Sequence, residues 1–129
     1  MQTGGRSRVA RRRIRGRLGI HNCSYHYGHG EEEWLIVLSG SPTLRTTEGV
    51  ERLAAWDVVC FPAGPAGAHA VRNDSDETAR VLMYSSIRYP PVTSYPDSDK
   101  IGAWTGDREQ DLVVRRSSGV GYYDGETGA

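Results

Sequence analysis

The residues best suited to chemistry lie in one short stretch, Tyr25-His26-Tyr27-Gly28-His29-Gly30-Glu31-Glu32-Glu33. Two histidines and three consecutive acids run straight into the apolar segment 34–38. A third histidine, His69, stands at the start of another β-prone segment, 68–73. Imidazole nitrogen and carboxylate oxygen are the usual donors for divalent Fe, Mn, Ni and Zn. In an extended chain, alternation puts His26 and position 28 on one face and turns His29 to the other, unless the glycines beside His29 bend the chain. Adjacent antiparallel strands would bring Glu33 and His69 into one interior. Glu31 and Glu32 read as solvated or supporting groups. Cys23 is close in sequence, but nothing requires it as a ligand. Cys60 reads as a small buried hydrophobe.

The elements that must position these groups are short. The chain has 129 residues, one domain's worth. Glycine and proline together number 22, so turns are frequent. Apolar runs at 18–23, 34–38, 43–46, 51–53, 58–61, 68–73 and 80–85 are separated by turn residues such as Ser39-Gly40-Ser41-Pro42 and Pro62-Ala63-Gly64-Pro65. Strands at this spacing predict an all-β sandwich or barrel. No stretch keeps a clean helical period. Trp34, Phe61, Leu82 and Tyr84 are expected in the core. Asn73 is expected to close a turn through its side chain.

Both ends differ from this centre. Residues 1–17 carry seven arginines and no acid, and read as a basic disordered arm. The remaining residues hold 9 basic and 16 acidic groups. No aromatic residue interleaves with the arginines, so nucleic acid is not an expected partner. Residues 18–87 form the expected barrel core. Residues 88–129 form an extension: an irregular acidic segment from 89 to 111 with Pro90, Pro91 and Pro96, then a strand at 112–115. No apolar run is long enough to span a bilayer. Two cysteines and no visible secretory signal point to a cytoplasmic protein with free thiols. No P-loop, dinucleotide-binding glycine pattern, CxxC pair or Ser-His-Asp order supports NTP, nucleotide, thiol-redox or acyl-transfer chemistry.

The spacing around the histidines resembles the two motifs of the cupin superfamily, Gly-x5-His-x-His-x(3,4)-Glu-x6-Gly and Gly-x5-Pro-x-Gly-x2-His-x3-Asn. Here Glu33 is followed six residues on by Gly40, and Pro62-x-Gly64 leads to His69 and then Asn73. The resemblance extends over residues 18–129, towards small single-domain bacterial cupins with an extended Pro-x-Gly-Pro-x-Gly-x-His second motif. It implies a β-barrel or double-stranded β-helix jelly roll with a metal in its mouth. It also implies a homodimer.

The ligands it implies are His26, Glu33 and His69. In the alternative register His29 takes the second histidine slot and Tyr27 the first. With four residues between the pair and the acid, the second slot falls on Gly28, which cannot ligate. The opening glycine of the second motif is Trp56, where a turn calling for positive φ resists a bulky residue. The strands such barrels usually carry before the first motif are replaced by the arginine-rich stretch, which leaves the N-terminal edge incomplete. Two histidines and one carboxylate form the facial-triad pattern; adding His29 gives a three-histidine, one-carboxylate set.

The functional expectation is a metal-binding cupin acting on a small organic molecule by oxygenase, isomerase or decarboxylase chemistry. The alternative is a non-catalytic module holding a sugar or organic acid in the same barrel. Tyr27, Arg45 and Arg72 are the expected pocket residues, with the arginines facing an anionic ligand.

Overall fold

The computed structural model describes the backbone of residues 6–14 and residues 23–128. The expected strand at 18–23 lies almost entirely outside the described residues. Among them are eleven strands: β1 (Arg6–Ile14), β2 (Tyr27–Gly28), β3 (Glu33–Ser39), β4 (Thr43–Thr46), β5 (Gly49–Arg52), β6 (Val58–Phe61), β7 (His69–Arg72), β8 (Ala79–Ile87), β9 (Val92–Tyr95), β10 (Lys100–Ala103) and β11 (Leu112–Arg115). They form three antiparallel sheets, β1-β8-β3-β6, β11-β10-β9-β2 and β5-β4-β7. An isolated antiparallel bridge, His26 to His69, joins the last two. The result is a jelly roll, as the resemblance to the cupin motifs implies.

The core follows from alternation. Leu35 and Val37 of β3, Val81 of β8 and Phe61 of β6 are buried against Leu44 of β4, Val71 of β7 and Leu53. This parity sends Trp34 outward, where it pairs with Tyr84 across β3 and β8. Trp34 and Tyr84, expected in the core, are therefore on the outer face, and Trp34 donates its indole N–H to Glu32 at 2.7 Å. Phe61 is in the core as expected, and Leu82 is half-buried. Cys60 is exposed, not buried, because it shares the outward parity of Trp34. Asn73 closes its turn: its side-chain amide donates to Glu77 O at 2.7 Å and its carbonyl accepts from Ser75 N–H at 3.1 Å.

Two corrections concern the ends. Residues 6–14, expected within a disordered arm, form β1 along the edge of β8. The reason is backbone pairing: β8 has an edge open beside β3, and a charged strand is well tolerated at the border of a sheet. The segment 89–111, expected to be irregular, contains β9 and β10, which with β11 and β2 build a whole sheet.

Trp56 keeps the left-handed turn that a glycine would make, at φ +73°. Its N–H donates to Val37 O at 2.7 Å, and Asp57 N–H closes the turn on Ala54 O at 3.1 Å. The side chain is 74% exposed, so little burial offsets the strain. A left-handed non-glycine residue costs roughly 1–2 kcal/mol, partly returned by the higher unfolded-state entropy of glycine. Trp56→Gly is therefore expected to stabilise the fold by up to about 1 kcal/mol, raising Tm by ~4 °C. A lower Tm in thermal denaturation would refute the strain.

Candidate metal centre

Alternation also decides which polar side chains reach the interior. Glu33 shares the inward parity of Leu35 and Val37 at the first position of β3. His69 shares that of Val71 at the first position of β7. His26 arrives through the bridge: its N–H donates to His69 O at 3.1 Å, and His69 N–H donates to His26 O at 3.0 Å. Opposed residues of an antiparallel pair present their side chains on one face. The two rings accordingly lie side by side, with centroids 4.8 Å apart. Glu33 Oε2 stands 3.0 Å from His69 Nε2 and 3.7 Å from His26 Nε2. His69 is buried and stacked on Phe61 at 3.6 Å, whereas the side chains of His26 and Glu33 keep 18% and 25% of their surface. The group is thus closed behind His69 and open at His26 and Glu33.

The ring orientations are fixed by backbone carbonyls. His26 Nδ1 lies 2.7 Å from Ser24 O, and His69 Nδ1 lies 2.8 Å from Gly67 O. A carbonyl only accepts, so each Nδ1 carries the hydrogen and each neutral ring turns its Nε2 lone pair towards Glu33. A histidine held this way is oriented as a metal ligand is, by a hydrogen bond to its second nitrogen. His69 Nε2 is buried with no hydrogen bond, because its approach to Glu33 has the distance of one but not the alignment. A buried nitrogen lone pair facing a carboxylate needs a cation between them, and the donor set of His26, Glu33 and His69 fits a divalent transition metal.

Without a metal, a proton on His26 takes that place. Burial alone would lower His26, but hydrogen bonds with Cys23, Glu33 and the Ser24 carbonyl outweigh it and raise its pKa to about 10. Burial alone would raise Glu33, but both imidazoles outweigh it and hold the carboxyl down at about 2. The His26 contribution to stability is complete below its ordinary value of 6.5 and fades as pH rises through about 10. The Glu33 contribution is complete above its ordinary value of 4.5 and fades as pH falls through about 2. The Tm of metal-free protein should therefore show a plateau between these ordinary values and fall on both sides. His26→Asn should flatten the alkaline limb, and an unchanged alkaline limb would refute the coupling.

Residues 20–85 match the family model of the cupin domain. The chain belongs to the cupin family. A search of the curated proteins finds no match. Among solved structures, one assigned as a sugar phosphate isomerase from Acidithiobacillus ferrooxidans is 28% identical, with a TM-score of 0.78 over 89% of this chain and 70% of that one. A cupin-superfamily sugar phosphate isomerase from Silicibacter pomeroyi is 24% identical, with a TM-score of 0.76 over 92% of this chain and 73% of that one. A cupin barrel-domain protein from Salinispora arenicola shares the fold at 23% identity and a TM-score of 0.53, over 63% of each chain.

Not every expected site residue of this cupin reaches the centre. His29 is turned away, as alternation from His26 requires, and its Nε2 lies 2.7 Å from Ser94 Oγ. It lines a separate cavity of about 380 Å³ with Tyr27 and Lys100. Arg45 and Arg72 are not inside the barrel either. Register sets Arg45 opposite Ala70 and Arg72 opposite Thr43, while Leu44 and Val71 take the inward face. The two arginines border another cavity, of about 370 Å³, on the outer side of that sheet. Each already has an acid: Arg45 binds Asp97 at 2.6 and 2.9 Å and lies over the Tyr25 ring, and Arg72 binds Asp74 at 2.7 Å.

Two groups that the spacing did not single out lie close to the centre. Donor atoms of Cys23, His26 and His69 lie within 4.8 Å of one another. Glu31 is half-buried, and its carboxyl is pushed up by burial and by the charge of Glu33. The only sequence signal for either was nearness to His26 and Glu33.

Proposed function

We propose that this cupin binds a divalent transition metal through His26, Glu33 and His69 and interconverts isomers of a small phosphorylated sugar at the open side of that centre. The observation that carries the metal is the pair of Nδ1-anchored imidazoles aimed at one carboxylate. The substrate class is suggested by the 28% identical Acidithiobacillus relative. A bound divalent ion would polarise a substrate carbonyl or hydroxyl oxygen, making an adjacent C–H more acidic. The Ser24 and Gly67 carbonyls orient the two imidazoles, and Phe61 walls off one face of His69. Glu31, with its raised pKa, is the group to carry a proton between neighbouring substrate carbons.

The test begins with metal content. Protein offered Fe, Mn, Ni and Zn together should retain about one ion per chain, and Glu33→Ala should lower the affinity at least about tenfold. Folded wild-type protein that takes up no metal would overturn the reading. With metal in place, phosphorylated aldoses in D2O should gain deuterium beside the carbonyl, and Glu31→Gln should abolish this while keeping the metal. Tight sugar binding without exchange would instead identify the non-catalytic module.

The reading extends to a cytoplasmic homodimer. Free Cys23 and Cys60 support the compartment. Exposed Trp34, Val58 and Tyr84 on the outer face of β3, β6 and β8 support self-association.

A further inference from the structure

We infer that Cys23 is a metal ligand, and that with His26 and His69 it gives the centre a second, sulfur-containing donor set for thiophilic ions such as Zn2+ and Cd2+. This rests on the metal centre proposed above and adds a donor to it.

Three observations converge. The first is proximity, since one donor atom each of Cys23, His26 and His69 falls within 4.8 Å of the other two. Sulfur and nitrogen donors on one Zn2+, at metal distances of about 2.3 and 2.1 Å, stand somewhat closer than this, so a small side-chain rotation closes the set. The second is the orphaned His69 Nε2, a buried lone pair in the same cluster with no hydrogen bond. The third is an absence elsewhere in the first motif. The slot two residues after His26 is Gly28, and a Cβ there would meet Glu31 Cβ at 3.2 Å. His29 is held by Ser94. With neither position supplying a further donor, the thiol approaches from the chain segment preceding His26.

The imidazoles are then shared between two partners of opposite character. Carboxylate oxygen favours harder ions such as Mn2+, and thiolate favours softer ones. Binding through Cys23 replaces the S–H bond with a sulfur–metal bond and releases the proton to solvent. Cys23 also borders the cavity of about 370 Å³ on the outer side of the β4–β7 sheet, so its sulfur is reachable by an incoming ion.

The test compares the full-length protein with Cys23→Ser. Co2+ bound to wild type should show a near-ultraviolet thiolate-to-cobalt charge-transfer band, and Cys23→Ser should lose that band while still binding Co2+. Cd2+ affinity should fall at least about tenfold in Cys23→Ser, while Mn2+ affinity stays within about twofold. Unchanged Mn2+ binding shows that the variant is folded with its imidazoles in place. Co2+ bound to wild type without the band, or equal Cd2+ affinities, would overturn the inference and leave the His26, Glu33 and His69 centre standing. No metal bound by wild type at all would overturn both.

Discussion

His69→Ala is expected to empty the metal centre and to lower stability by about 3 kcal/mol. The two losses have separate causes. The ring is buried and stacked on Phe61 at 3.6 Å, so truncation leaves a void in a tightly packed region. It also removes the innermost donor, whose Nε2 stands 3.0 Å from Glu33 Oε2. For a chain of 129 residues the destabilisation corresponds to a fall in Tm of ~10 °C. His69→Gln separates the effects, because it restores much of the volume without the ring nitrogen pair. It should recover a good part of the Tm while metal content stays low. Full metal occupancy in either variant, read by elemental mass spectrometry, would refute the assignment of His69.

Gly67→Ala is expected to be at least as damaging, although residue 67 carries no chemistry of its own. A Cβ at this position would lie 1.7 Å from Pro62 O and 2.8 Å from Pro62 C. Both are backbone atoms, so no rotamer change relieves the clash. The turn from Pro62 to Gly67 must open, and with it goes the carbonyl that holds His69 Nδ1 at 2.8 Å. The expected cost is about 3 kcal/mol or more, with metal affinity falling roughly 10–100-fold in whatever folds. Gly121→Ala, where no atom crowds the added carbon, serves as the neutral control. A Gly67→Ala protein with wild-type Tm and metal content would show that the turn can be rebuilt. The second motif is thus partly a steric requirement: the strand to β7 must double back close enough to aim a histidine inward.

Much of this was readable in the residues. Strands β4, β6 and β11 begin and end where their apolar runs do. Glu33 and His69 converge because each opens a strand of fixed parity, and parity follows from counting residues to Leu35, Val37 and Val71. What escaped the reading has physical reasons. β9 is four residues, Val92–Tyr95, closed in by Pro91 and Pro96. The prolines suggest irregularity, yet they act as punctuation around a short strand. β10 carries Gly102 and one large aliphatic residue, so composition alone says little. At β1 charge density argues for solvation, whereas its pairing with β8 comes from the backbone. Arg45 and Arg72 were placed in the barrel by their charge; register with Ala70 and Thr43 puts them outside it. Trp34 is expected in the core, but the parity it shares with Cys60 and Tyr84 turns it out. Cys23 precedes β2 on a bend, where alternation has no predictive force.

The bridge between His26 and His69 also bears on the mechanics of the barrel. It consists of two backbone hydrogen bonds, and it joins β7 to the chain entering β2. An ion gripped by His26, His69 and Glu33 would stitch this seam to β3 in the opposing sheet. Such an ion would act as a removable rivet across segments distant in sequence, and whatever took it away would loosen the seam as well as the proposed chemistry.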